Sequence, residues 1–488
     1  MRVLGLLLAL AIAASGCFGG SSTSRPPPPS TSTGADLYVH QADGTTILAA
    51  PLPAAFGKTL RFSTVATGFD GAEPSVGVTS KASVFVAAYE DVLRSRDGGK
   101  TWQSVHRASG GQDFDPMLWV DPKTDRIFAT HINPEKTCRT IAVSDNDGDA
   151  WMDFPMICPA QSLGQVDHQK LATGKYAGPQ AATAAASPYP QLVTLCYNNL
   201  GSTHCAASLD GGITFPQDTN VDGYQGGSVV PLPDLLTQAI GNCGGLNGHQ
   251  HHAPDGTIYV PYGYECKESR IATSTDGGLT WTRRDPKQGE LELDPSITTT
   301  PDGTAYYVYR GTDHHVYMLR SHDRFASFEG PYALSPPEVK SSVFTAVVGG
   351  SDGRIAYAFL GTTQTTEGPD AAGSRTQWNL YVGMSLDAAA GKPTFATVRV
   401  NPVNDPVQRG SICMTLPCKH DDRNLLDFID ISVGPDGRPW VSYADGCTSA
   451  KCLTPGQTDV TSSRDDTVYV AWLSDGPSLV SGKPRVLG

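Results

Sequence analysis

Six short runs in this 488-residue chain open on a carboxylate or an imidazole. They are Glu73-Pro74-Ser75, Asp115-Pro116-Met117, Asp167-His168-Gln169, His249-Gln250-His251-His252, Asp294-Pro295-Ser296 and Asp427-Phe428-Ile429-Asp430. In three of them the acid directly precedes proline, which is tolerated at the first residue of a strand and restricts the conformation of the residue before it. If the runs open equivalent strands that converge, they build an acidic mouth. Such a mouth suits a divalent cation, the hydroxyls of a sugar or a basic group. Repetition fits a second role equally well, in which each acid accepts hydrogen bonds from a neighbouring backbone. Glu73, Asp167, His168, His249, His251 and Asp430 are the candidate ligand contacts, and His249, His251 and Asp167 together are a candidate metal set.

Other chemistries find no motif. The chain has no phosphate-cradling GxxxxGK and no HExxH helix. A formal net charge of -13 argues against nucleic acid as partner. No cofactor is called for beyond a cation at the mouth.

The elements that must position these residues are strands. An octet of the form S-x-D-x-G-x-T-W recurs as SRDGGKTW (95–102), SDNDGDAW (144–151), SLDGGITF (208–215), STDGGLTW (274–281) and SHDRFASF (321–328). Upstream of several octets lies a second tight turn between alternating strands, as in APDGTIYV, TPDGTAYYV and GPDGRPWV. Proline and aspartate preset such turns, and glycine takes the positive φ they need. One unit therefore reads as strand, turn, strand, loop, strand, octet, strand: a four-stranded antiparallel meander. Counting inner strands gives seven units, starting near Glu73, Asp115, Asp167, 228–252, Asp294, Val343 and Asp427. Repeats of this kind predict an all-β propeller of seven blades, with six as the alternative. Either 36–39 (DLYV) or 60–65 (LRFSTV) is expected to close the ring against the C-terminal segment.

The octets resemble the Asp-box, or BNR repeat, of sialidases and sortilin-like propellers, over nearly the whole chain after residue 34. That resemblance places the octet between the third and fourth strands of each blade, at the periphery, as a structural staple. There Asp97, Asp210, Asp276 and Asp323 accept backbone N–H groups of their own turns, and Trp102, Trp151, Phe215, Trp281 and Phe328 plug between sheets. Sialidases use an arginine trio, an acid/base Asp and a Tyr nucleophile paired with Glu. The resemblance thus makes Asp115, Asp294 and Asp427 candidate general acids, and Arg310 and Arg423 candidate contacts for an anionic sugar. The counterpart of the family's Arg-Ile-Pro motif is Leu60-Arg61-Phe62-Ser63, which lacks Ile-Pro. No Tyr-Glu pair stands at a defined spacing. Binding of a glycan or a surface protein at the funnel is therefore the first expectation, and an exo-sialidase-like hydrolase the alternative.

The N-terminus reads as an export signal. Arg2 precedes an apolar run from Val3 to Ala14, too short to span a bilayer comfortably. Ala14-Ser15-Gly16-Cys17 resembles a lipobox, which implies cleavage after residue 16 and a lipid on Cys17. Residues 17–34, rich in Pro, Ser and Thr, read as a tether, and 35–488 as one propeller anchored on the outer face of a membrane, monomeric. Ten cysteines remain, and they fall as sequence neighbours. The expected disulfides are Cys138–Cys158, Cys196–Cys205, Cys243–Cys266, Cys413–Cys418 and Cys447–Cys452.

Overall fold

The computed structural model describes residues 30–31, 37–41, 46–47, 52–108, 114–133, 138–155, 166–199, 202–221, 246–263, 269–286, 294–414, 418, 422–454, 465–483 and 486–487. Seven antiparallel sheets, each built on four strands, form the blades of a β-propeller. Their inner strands are Ser75–Val78, Phe114–Val120, Val166–Gly174, His251–His252, Ser296–Thr299, Ser341–Gly349 and Asp430–Val433, for blades 1 to 7. These pack side by side around the axis and all run the same way, so the axis has an entry end, where they begin, and an exit end. Second strands such as Ile127–Ile132 and Ile355–Thr362 are buried at every residue. Both faces of such a strand lie against neighbouring blades, so their sequences are nearly continuous apolar runs.

Blade 7 closes the ring. Its strands Asp430–Val433, Pro439–Asp445 and Thr467–Gly476 come from the C-terminal part, and its outermost strand is Arg61–Asp70. The segment 60–65 thus supplies the closing strand. Leu37–Gln41 instead extends blade 6, pairing with Thr394–Val398. Ser30–Thr31, within the segment read as tether, pairs with Ser63–Thr64. Cys17 and the signal segment lie outside the described residues.

Each octet joins the third and fourth strands of its blade. In the first, Ser95 Oγ donates to Asp97 Oδ1 at 2.8 Å, and the same oxygen accepts from Lys100 N and Thr101 N at 3.0 and 2.9 Å. In the second, Asn146 does the work of the aspartate, accepting from Ala150 N at 2.8 Å. Positions four and five have positive φ in all five copies, including the non-glycine pair Arg324 (61°) and Phe325 (57°). The fifth position is a joint between blades. A Cβ on Gly99 of blade 1 would lie 3.1 Å from Trp440 of blade 7, and one on Gly148 of blade 2 would lie 2.6 Å from Phe85 of blade 1. In blade 5 Phe325 occupies this joint, buried to 3 % exposure against Tyr259 of blade 4. Phe328, expected to plug between sheets, is 38 % exposed, because Phe325 already fills that space.

Three expected disulfides are present: Cys196–Cys205, Cys413–Cys418 and Cys447–Cys452. Cys196 and Cys205 face each other directly across the hairpin of blade 3. Cys138 is also disulfide-bonded. Cys158, Cys243 and Cys266 lie outside the described residues. Among the described residues no helix is long and apolar enough to cross a membrane.

Candidate functional site

At the entry end, the backbone turns sharply into several inner strands. Glu73, Asp115, His168, Phe344 and Leu426, from blades 1, 2, 3, 6 and 7, all have φ between 48° and 59°. A non-glycine residue in this left-handed region costs roughly 1 kcal/mol or more. Its recurrence in five blades ties it to ring construction, and in blades 1 and 2 the kinked residue's carboxylate reaches a neighbouring blade. Asp115 Oδ2 accepts from His168 N at 2.8 Å, and Glu73 Oε1 accepts from Asp427 N at 2.9 Å. Asp430 Oδ2 accepts from Ser75 Oγ and Val76 N, joining blade 7 to blade 1. Blade-to-blade hydrogen bonding is therefore one function of these acids.

The same residues also meet across the axis in two charge clusters. In the first, Asp427 Oδ2 receives Arg423 Nη2 at 2.5 Å and lies 3.4 Å from His168 Nε2. Burial pulls the His168 imidazole down, but the Asp427 hydrogen bond and the charges of Asp115 and Asp167 outweigh it and hold it at about 9. Burial pushes Asp427 up, and Arg423 and His168 more than reverse this, so it stays a carboxylate. On Glu73 the charge of Arg423 is the weaker influence. Burial first, then the charges of Asp115 and Asp427, push it well above the usual carboxylate range.

In the second cluster, Lys170 Nζ lies 2.8 Å from Asp294 Oδ2 with both side chains at 0 % exposure. His249 stands between Asp294 (3.5 Å) and Asp430 (3.6 Å). Burial would raise the Asp294 pKa, but Lys170 and then His249 hold it down at about 2. Phe428 separates the clusters: Lys170 Nζ sits 3.5 Å above its ring, and His249 meets it edge-on. The lysine is thereby paired on one side and stacked on the other, an arrangement that offsets part of its desolvation.

The candidate residues thus divide. Glu73, Asp115, His168, Asp427 and Arg423 come together, with Asp167 acting on His168 through its charge. Asp294, His249 and Asp430 form the second group. Arg310 lies apart, its Nη1 donating to Ser342 O between blades 5 and 6. Arg61 begins the outer strand of blade 7 beside Asp475, so Arg61, Arg310 and Arg423 do not form a trio. His249 and His251 do not share a ligand position either, because His251 faces the far end of the axis. Lys170 and Phe428 are the functional neighbours that sequence reasoning missed. A lysine on an inner strand, two residues past a histidine, was the available signal.

That far, exit end holds a cavity of about 710 Å³ framed by blades 2 to 6. Thr173, Gln191, His251, Thr299 and Thr300 bring hydroxyl, amide and imidazole groups to its wall, and Pro122, Pro190, Pro254, Pro301 and Tyr176 bring apolar faces. Two short 3-10 turns, Gly178–Ala182 and Ala184–Ala186, carry Ala181 and Ala184 into its rim. Lys123 and Lys175 are its charged lining groups; among the described residues no carboxylate lines it. Burial lowers His251 to about 4, so it faces the cavity uncharged.

Residues 191–392 match the model of a BNR repeat-like domain. The matched residues lie within blades 3 to 6 of the seven-bladed propeller. No curated protein sequence matches it. Among solved structures, it is similar to the BP39L lectin from Burkholderia pseudomallei (12 % identity, 86 % of this chain and 99 % of that one, TM-score 0.48). It is also similar to a Hadza microbial sialidase (10 %, 81 % and 74 %, TM-score 0.42) and to YCF48 from Cyanidioschyzon merolae (12 %, 89 % and 98 %, TM-score 0.42).

Proposed function

We propose that this protein binds an acidic glycan in the exit-end cavity, displayed on the outer face of a membrane by a lipid on Cys17. The observation that carries this reading is the cavity's wall. Its volume falls in the range of small-ligand sites, and hydroxyl, amide and imidazole groups alternate with proline and tyrosine faces that suit the polar and CH faces of a pyranose. In a chain of net charge -13, a wall with two lysines and, among the described residues, no carboxylate favours a sugar bearing a carboxylate or sulfate.

The hydrolase reading has weaker support. Asp115, Asp294 and Asp427 are each at most 5 % exposed, and each is bonded to the fold or paired with a cation. A general acid must reach the leaving-group oxygen. The test is a panel of acidic and neutral oligosaccharides, together with fluorogenic sialosides, offered to the soluble form starting at residue 35. Saturable binding of acidic sugars without turnover supports the proposal. Turnover lost in Asp115→Asn or Asp427→Asn would replace it with the hydrolase, and binding confined to neutral sugars would refute the acidic specificity.

A further inference from the structure

The first charge cluster contains buried polar atoms that the fold leaves unpaired. Glu73 accepts Asp427 N through Oε1 and leaves Oε2 buried without a donor. Asp427 binds Arg423 and His168 through Oδ2 and leaves Oδ1 buried without one. His168 turns Nε2 to Asp427 and leaves Nδ1 without a partner. All three residues are at most 5 % exposed. Buried polar atoms left over in this way mark a missing partner, since an unsatisfied buried group is costly. These three residues, from blades 1, 3 and 7, offer ligand atoms that lie within 4.8 Å of one another.

We infer that Glu73, His168 and Asp427 hold one divalent metal ion of the zinc or manganese kind on the propeller axis. Two carboxylates with one imidazole suit those ions better than an all-oxygen calcium site. The site is independent of the exit-end cavity, and its role is structural: it ties three blades at the entry end. Because the site is buried, it fills as the ring closes, so metal present during refolding matters more than metal added later. The other convergent set, Cys413, Cys418 and Asp422, is unsuitable because its two sulfurs are bonded to each other.

The experiment is to refold the soluble form with Zn2+, Mn2+, Ca2+ or EDTA, pass it through a desalting column, and measure metal content and thermal midpoint. One equivalent of Zn2+ or Mn2+ with a raised midpoint is expected. Glu73→Gln keeps the oxygen that accepts Asp427 N, so it should still fold while retaining at least about tenfold less metal. His168→Asn gives a second reading should Glu73→Gln fold poorly. Equal metal content in wild type and a folded variant, or no bound metal after refolding with any of the ions, would overturn the inference. Tight binding of Ca2+ alone would overturn the choice of ion.

Discussion

Lys170 of blade 3 and Asp294 of blade 5 meet at 2.8 Å, reaching past blade 4, with neither side chain exposed. Removing one partner strands the other as a buried charge. Lys170→Met should therefore destabilise the fold by about 3–5 kcal/mol. Lys170→Met combined with Asp294→Leu should recover much of the loss. Urea denaturation of the two variants measures both; an additive double mutant would show that the pair does not interact.

A second expectation concerns acid stability. Burial holds His40 and His251 at about 4 and His131 and His252 at about 3, below the ordinary imidazole value of 6.5. The folded state keeps these rings neutral while the unfolded chain protonates them below pH 6.5. Their contribution is thus complete above pH 6.5 and declines as pH falls toward 4, by about 1.4 kcal/mol per pH unit for each ring. Thermal midpoints between pH 7 and 4.5 should fall steadily, and His131→Gln should lessen the slope. A flat profile would contradict the burial of these rings.

The octets should matter for stability and not for ligand. Asp97→Ala removes acceptors for Lys100 N and Thr101 N and should cost about 1–2 kcal/mol. Phe325→Ala empties a buried joint between blades 4 and 5 and should cost about 3 kcal/mol or more. Denaturation midpoints should show this order while ligand affinity stays unchanged.

Ring closure gives a further test. A chain beginning at residue 71 lacks Arg61–Asp70 and exposes the edge of Thr467–Gly476. It should aggregate or become protease-sensitive, whereas a chain beginning at residue 35 should remain resistant.

Much of this architecture was legible in the chain. Turn chemistry is local, so Pro-Asp-Gly and the octets reveal the blade period, and inner strands counted from six polar openings and from Val343 give seven. Phe328 misled because the octet's aromatic position was read without its fifth residue, where phenylalanine replaces glycine. The polar openings located the axial clusters, but their partners could not be read. Lys170 belongs to no motif, and its pairing with Asp294 depends on two blades converging across the axis. The exit cavity was hidden for the same reason: blade tilt and the 3-10 turns of 178–186 shape it, and neither leaves a pattern in composition.

The most direct test of the account is calorimetric titration of the soluble form with acidic oligosaccharides, beside Ala181→Trp and Lys175→Glu. Ala181 is exposed on the cavity rim, so a tryptophan there fills the site without disturbing the core. The account predicts that wild type binds, that Ala181→Trp abolishes binding, and that Lys175→Glu weakens it about tenfold, a loss of roughly 1.4 kcal/mol. Undiminished affinity in both variants, with the fold intact, would place the ligand elsewhere and contradict the central claim.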